Sequence, residues 1–328
     1  MENYPKLIMK DMRILNVLDK DPTTSISSIA KKTAVSKQVA EYRLKRLLDQ
    51  KTIYDFFTVI NVGCLGHSLF RLHLKLKNVS SNSYSNFANY LFKNYPIFWI
   101  GFVSGSFDII VDIWAKNSSE FQFYLKDIMH KQKDLIFSYE VFPMLSLSMF
   151  SYNYFLPERT QRRTGIIFEE APTIKLDERD WKVLGLIKNN ARMTYEEISA
   201  RINLTRNAVK RRILELEKKK VITGYHMMVH FQHFERLSYK IFIAYDHAYM
   251  DQERSLLDFL ESRSGILAYA RLLGRWNLDI ELQPHNAKEL QEFLIDLRNK
   301  FNIIQDCELI QIIEDFGLDF FHKKLSIT

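Results

Sequence analysis

The chain carries its own sequence twice. Setting residues 7–56 over 176–225 aligns Asp11 with Asp180, Ile14-Leu15 with Val183-Leu184, and Ile29 with Ile198. Val35-Ser36-Lys37 then falls on Leu204-Thr205-Arg206, Arg43 on Arg212, Leu44 on Ile213, Leu47 on Leu216 and Ile53 on Ile222. The offset is 169 at every pair, without a gap, and Gly105-Ser106-Phe107-Asp108 still lands on Gly274-Arg275-Trp276-Asn277. Such self-similarity decides the architecture before any local reading. The 328 residues are one unit of about 150 residues written twice.

Each unit has a helical part and a mixed part. Ile14, Leu15 and Leu18 recur at helical spacing, as do Val183, Leu184 and Ile187. A second helix is expected over Ser25–Lys32 and over Thr194–Arg201, where Thr194 and Glu197 have capping-box spacing. A third starts at the N-cap residues Ser36 and Thr205, with Ala40, Leu44 and Leu47, or Val209, Ile213 and Leu216, on one face. A hydrophobic strand pair follows from Ile53 and Ile222, which makes each head a winged helix-turn-helix. The remainder alternates strand and helix in the order βαββαβ, the ferredoxin-like split motif. The first copy places strands at Ser68–Lys77, Ile97–Phe102, Phe107–Ala115 and Ser138–Phe150, and the last strand of the second copy at Cys307–Ile313.

The fold class is therefore α+β: two copies of a winged helix-turn-helix followed by a ferredoxin-like domain. The heads span 1–60 and 175–232, and the βαββαβ domains 61–155 and 233–328. A linker at 156–174 is marked by Pro157, Arg162-Arg163, Gly165 and Pro172.

The net charge of +7 is unevenly placed. Residues 1–60 carry +4 and 173–232 carry +6, leaving the rest slightly acidic. Lys and Arg concentrated where a backbone is met are what phosphate attraction needs. On charge alone a solvated helix face reads equally well, and the helical pattern breaks the tie. The third helix and its cap carry Ser36, Lys37, Gln38, Tyr42, Arg43 and Arg46 in copy one, with Glu41 among them. Copy two has Thr205, Arg206, Asn207, Lys210, Arg211 and Arg212. A recognition helix puts its N-terminal residues on base edges. Arg suits guanine there, and Asn or Gln suits adenine. These twelve residues are the candidate contacts to double-stranded DNA, with copy two the stronger binder.

The sequence resembles the leucine-responsive regulator/AsnC family of feast-or-famine transcription factors, present in tandem. Leu176-Asp177 with Asp180, Val183 and Leu184 resembles that family's opening helix. Leu204-Thr205 with Arg211-Arg212 and Leu216-Glu217 resembles its recognition helix, and Ile222-Thr223-Gly224-Tyr225 its entry to the wing. The resemblance implies βαββαβ domains that dimerise and an amino-acid-like effector bound at interfaces between them. It points to Gly105, Asp108, Gly274 and Asn277 as the effector-binding loop residues. A tight turn with Asp108 capping its own backbone is the alternative reading of that loop. The sequence departs from the family in having Ala34 and Asn203 where the turn before the recognition helix usually has glycine, and Tyr54-Asp55 at the first wing.

Other classes are disfavoured. Two cysteines, Cys64 and Cys307, cannot make a disulfide framework and fit a reducing, cytoplasmic setting. Met1–Lys10 holds no secretory signal, and no apolar run is long enough to span a membrane. His226, His230 and His233, with Cys64, His67 and His73 in the other copy, lack metal-ligand spacing, so no metal or cofactor is expected. Phe98, Trp99, Phe121, Phe123 and Tyr124 have core spacing and no RNA-binding strand motif accompanies them. The remaining alternative is a regulator-fold enzyme of the haem-precursor (siroheme) decarboxylase type, against which the basic recognition helix of copy two stands. The expectation is a DNA-binding transcriptional regulator, not an enzyme, acting as a covalent pseudo-dimer that the family's octamers leave open to further association.

Overall fold

The helical spacings above fold as expected in the computed structural model, which describes residues 6–77, 81–156 and 162–319. Pro157 and the end of the chain from 320 lie outside the described residues. Head one consists of α1 (Met9–Lys20), α2 (Ile26–Thr33) and α3 (Lys37–Asp49). Ile14, Leu15, Leu18, Ile29, Ala40, Leu44 and Leu47 form its core. The chain continues through β1 (Ile53–Ile60), β2 (Ser68–Leu76), α4 (Ser81–Asn94), β3 (Ile97–Ser104), β4 (Ile109–Ala115), α5 (Ser118–Lys131), β5 (Ile136–Phe150) and β6 (Arg163–Glu169). Head two repeats the helices as α6 (Glu178–Ile187), α7 (Tyr195–Ile202) and α8 (Arg206–Lys218). Then come β7 (Ile222–Val229), β8 (Ser238–Tyr245), α9 (Glu253–Ser262), β9 (Ile266–Leu272), β10 (Leu278–Leu282), α10 (Ala287–Lys300) and β11 (Ile304–Leu318). The order βαββαβ therefore occurs twice.

The caps are those the sequence names. Ser25 and Ser36 accept from the amides of Ser28 and Val39, and Thr205 accepts from Ala208. Thr194 and Glu197 form the capping box. Both turns before the recognition helices are left-handed, Ala34 at φ 55° and Asn203 at φ 53°. Asn tolerates that region, whereas Ala pays a steric penalty of about 1 kcal/mol or more.

The wing differs from expectation. Each head contributes one strand, not a hairpin, and β1 pairs with β7 of the other head in a separate two-stranded antiparallel sheet. A lone strand would leave its backbone groups unpaired, and the equivalent strand is the nearest partner with a matching edge. Ile53 faces Val229, and Ile60 faces Ile222, so the pairing is pseudo-twofold, with Phe57 against its counterpart His226 near the axis. Outside the ladder the symmetry persists: Asn61 N–H donates to Val221 O, and His230 N–H to Thr52 O.

The βαββαβ strands close into a ring. The order is β2-β4-β3-β11-β8-β10-β9-β5, and β5 also pairs with β2. β5 lies on β2 from Ile136 to Pro143 and on β9 from Met144 to Met149. β11 lies on β8 as far as Ile312 and on β3 from Gln311 to Leu318. The last strand of copy two is thus longer than Cys307–Ile313, because its second half serves the other copy's sheet. Helices α4 and α5 cover the outside of copy one's strands through Leu72, Leu74, Ile100, Val111 and Ile113. Helices α9 and α10 cover copy two through Ile241, Ile243, Leu278 and Ile280. Strands buried on both faces explain the near-continuous apolar runs.

The expected linker is structured over 163–169. There β6 pairs with β5 and leans on the wing sheet, where Thr223 Oγ1 meets both the N–H and the carbonyl of Ile166. Gly224 makes room for it: a Cβ there would stand 1.8 Å from Thr164 O. The apolar run Ile166-Ile167-Phe168 drives this strand, with Ile167 and Phe168 buried.

Two outcomes follow. Ala34→Gly relieves the left-handed turn and is expected to stabilise head one by about 1 kcal/mol in urea unfolding, while Asn203→Gly changes little. Burial holds His226 neutral, its pKa pushed down from 6.5 to about 3. Between those values the unfolded chain binds a proton that the folded chain excludes, so stability falls as pH drops below about 6.5, by about 1.4 kcal/mol per unit for this group. His73 and His67, also shifted down by burial, act with the same sign. His226→Phe, matching Phe57 in the first copy, removes one histidine's share of that slope; urea midpoints from pH 7 to 5 check it.

Candidate nucleic-acid interface

On α3 the side chains of Lys37, Gln38, Glu41, Tyr42 and Lys45 are exposed, opposite the buried Ala40, Leu44 and Leu47. On α8 the exposed set is Arg206, Asn207, Lys210 and Arg211, opposite Val209, Ile213 and Leu216. The hydroxyls of Ser36 and Thr205 are taken by helix caps. Arg46 is half-buried. Arg206 Nε lies 2.6 Å from Glu196 Oε1, and Arg211 Nε 3.9 Å from Glu215 Oε1, both on the surface. Exposed pairs of this kind are worth ~0–1 kcal/mol and are easily exchanged for phosphate.

Arg43 and Arg212 stand elsewhere. Arg43 Nη1 lies 3.2 Å from both carboxylate oxygens of Asp11, which is 2% exposed. Arg212 Nη1 donates to Asp180 Oδ1 at 2.6 Å and contacts Asp177 at 2.8 Å. Asp11 and Asp180 are themselves third-residue acids of their helices, accepting from Ile8 N and Asp177 N. The same tie between first and third helix is thus made in both heads. Arg43 and Arg212 therefore pair with the first helix of their own head, unlike the open side chains of Lys210 and Arg211. Their acids sat at matching positions of the repeat, a pairing that a reading of one helix face alone does not reveal.

The loops at Gly105 and Gly274 are tight turns. Gly105 (φ 148°) and Gly274 (φ 130°) both take up conformations that favour glycine. Asp108 accepts from Lys75 Nζ at 3.1 Å and from Leu76 N at 2.8 Å. Asn277 accepts from Tyr245 N at 2.8 Å, the equivalent bond. Trp276 is fully buried, and Arg275 covers its ring. Asp108 and Asn277 thus bond the ends of the neighbouring strands β2 and β8 and do not cap their own turns.

His230 and His233 stack 5.0 Å apart at the end of the wing, bonded to Tyr54 and Thr52, while His226 meets Thr164. Among the described residues no group of three or more His, Cys, Asp or Glu is arranged to hold a metal.

The inside of the ring carries charged side chains outside the candidate sets named above. Arg71 (β2) forms a bidentate pair with Asp112 (β4), at 2.8 and 2.7 Å, and also meets Asp279 (β10). Lys240 (β8) lies 3.3 Å from Asp279 and 2.9 Å from Glu281. Asp315 (β11) accepts from Trp99 Nε1 at 2.9 Å. The available signal was charge at alternate positions of otherwise apolar strands, Arg71, Asp112, Lys240, Asp279 and Glu281.

A three-helix head with an exposed basic third helix, set on a βαββαβ domain, defines a DNA-binding transcriptional regulator, and the comparisons agree. The winged helix-turn-helix DNA-binding family matches residues 10–53 and again 176–223. The regulator FL11 of Pyrococcus furiosus is 31% identical over 115 residues, 35% of this chain and 75% of that protein. An uncharacterised regulator of Pyrococcus horikoshii is 31% identical over 145 residues, 43% of this chain and 93% of that one. LrpB of Bacillus subtilis is 29% identical over 125 residues, 38% and 82% of the two chains. The chain belongs to the Lrp/AsnC family, as a tandem duplication. The crystal structure of the siroheme decarboxylase NirDL superposes over 97% of this chain and 96% of its own, with a TM-score of 0.62 at 11% identity, which is a likeness of fold. No described helix is long and apolar enough to cross a membrane.

Arg212→Ala removes a charged hydrogen-bond donor and is expected to destabilise the chain by about 1–3 kcal/mol. Lys210→Ala, on the open face, is expected to stay within about 0.5 kcal/mol. Parallel urea titrations check the contrast.

Proposed function

We propose that the chain is a cytoplasmic, sequence-specific regulator in which one polypeptide supplies both halves of what is ordinarily a dimer. The observation that carries this reading is the exposed cluster Arg206, Asn207, Lys210 and Arg211 at the start of α8. Arg and Asn there address base edges, and Lys210 with Arg211 addresses phosphate. On α3, Lys37, Gln38 and Tyr42 take the corresponding positions, with Arg46 at the margin. Glu41 opposes phosphate, so head one contributes less affinity. The pairing of β1 with β7 and the crossing of β5 and β11 between sheets supports the intramolecular arrangement. A tethered partner has an effective concentration near millimolar, above that of a second chain.

The two heads differ at Gln38 against Asn207, Glu41 against Lys210 and Tyr42 against Arg211. The preferred site is therefore asymmetric, with unlike half-sites one helical turn or a multiple apart. Selection of bound fragments from a random DNA pool tests it. The expected result is an unlike pair of half-sites bound by one chain; a perfect palindrome bound by two chains contradicts it. Arg206→Ala with Arg211→Ala weakens specific binding by a few kcal/mol and makes the salt dependence shallower by about one, for the phosphate contact of Arg211. Wild-type affinity in that double variant removes α8 from the interface.

The fold shared with NirDL gives a second reading, a tetrapyrrole-processing enzyme. Titration of the purified chain with a tetrapyrrole, read by absorbance, against retention on heparin separates the two. The basic face of α8 supports the heparin outcome.

A further inference from the structure

A mixed-charge cluster fills one end of the strand ring, and its charges do not balance. Two cations, Arg71 and Lys240, meet four carboxylates, Asp112, Asp279, Glu281 and Asp315. The imbalance comes from divergence between the copies. Arg71 and Lys240 occupy equivalent positions, as do Asp112 and Glu281. Asp279 and Asp315, however, stand where copy one has Ile110 and Ser146. Copy two has thus added a buried carboxylate, Asp279, and a half-buried one, Asp315. Arg71, Asp112 and Asp279 are each 1% exposed and Lys240 3%, and Asp279 Oδ1 finds no hydrogen-bond donor. Uncompensated charge at such depth is costly unless something pairs with it.

Beside the cluster lies a cavity of about 60 Å³, lined by Arg71, Asp112, Lys240, Glu281 and Asp315 and by the rings of Trp99 and Tyr152. A single water needs about 10–15 Å³ of such space, so the cavity accepts a group of a few heavy atoms and not a polyamine. Carboxylates beside aromatic faces are the surroundings an ammonium group prefers. Lys240 already shows this mode, its Nζ 5.0 Å from the centre of the Trp99 ring. The cavity also touches Met228 and Val229 of the wing strand β7 and Ile167 of β6, so an occupant meets the segments that carry head two.

We propose that this cavity is a binding site for a small monovalent cation of the ammonium type, a protonated primary amine or ammonium itself, held by Asp315 and Glu281 against Trp99. The site is distinct from the loops at Gly105 and Gly274, and its occupancy does not depend on the DNA-binding reading. Burial first, and then the neighbouring Glu281, raises Asp315 to about 7. The ionisable groups around it are Arg71 and His73 on β2, Asp112 on β4, Lys240 on β8, Asp279 and Glu281 on β10, Tyr152 after β5, Tyr54 on β1 and Glu314 on its own strand. His73 and Lys240 are both shifted down by burial. Cation binding favours the ionised Asp315, so affinity rises with pH through about 7.

The test uses the full-length chain, exchanged into N-methylglucamine chloride at fixed ionic strength and followed by thermal unfolding and tryptophan fluorescence. Methylammonium or ammonium chloride at pH 8 is expected to raise the Tm by about 3 °C and to shift the emission of Trp99, with a smaller response at pH 6. Asp315→Asn keeps the fold and loses both the rise and its pH dependence. Potassium having no effect supports the ammonium-type occupant; potassium equalling methylammonium overturns it in favour of an inorganic cation. No response of the wild type to methylammonium or ammonium, an equal response to sodium, or an undiminished response in Asp315→Asn overturns the proposal. Trp99→Phe provides an independent reading: it abolishes the fluorescence change while Asp315 still supports the rise in Tm.

Discussion

A strand edge cannot be left facing nothing, and in this chain two long strands solve that problem for both halves at once. β5 and β11 each spend one end on their own sheet and the other on the neighbour's. Neither βαββαβ unit has a closed set of hydrogen bonds alone. The ring gives every strand in it two partners, and the wing strands repeat the solution at smaller scale. Edge closure is therefore the constraint from which the packing of the copies follows: it fixes their register, encloses the interior and leaves both helical layers outside.

Much of this was legible in the residues. The repeat, the caps at Ser36, Thr194 and Thr205, and the helical stripes of both heads express local rules, and local rules act within a few residues. What escaped was long-range. Nothing near Ile53 says that its strand will pair 170 residues away. The extension of β11 beyond Ile313 makes sense only beside β3. The stretch 163–169 looked like a boundary because Arg163 and Gly165 stand in it and Pro157 and Pro172 flank it, yet Ile166-Ile167-Phe168 needed a surface, and the wing sheet with β5 supplied one.

The candidate contacts divide in the same way. Exposure of Arg206, Asn207, Lys210 and Arg211 follows from helical period alone. The fate of Arg43 and Arg212 does not, because an arginine on the flank of a helix faces either solvent or the neighbouring helix, depending on the acid opposite. Asp11 and Asp180 decide it. The interior charges were hardest to see, since a strand buried on both faces gives charge no conventional position. Arg71 with Asp112 is nevertheless a complete fork-to-fork pair, which is how a guanidinium is tolerated at such depth.

Phe57 opposite His226 shows what joining the copies permits. Between identical subunits, a residue near the twofold axis confronts itself, so any substitution is made twice and must tolerate its own image. A histidine there would meet a histidine, and a new carboxylate in the shared interior would meet its own like charge. One continuous polypeptide lifts that restriction. Each side of the axis can change singly, and the interior of the ring, ordinarily the place where symmetry is strictest, becomes free to acquire a polarity.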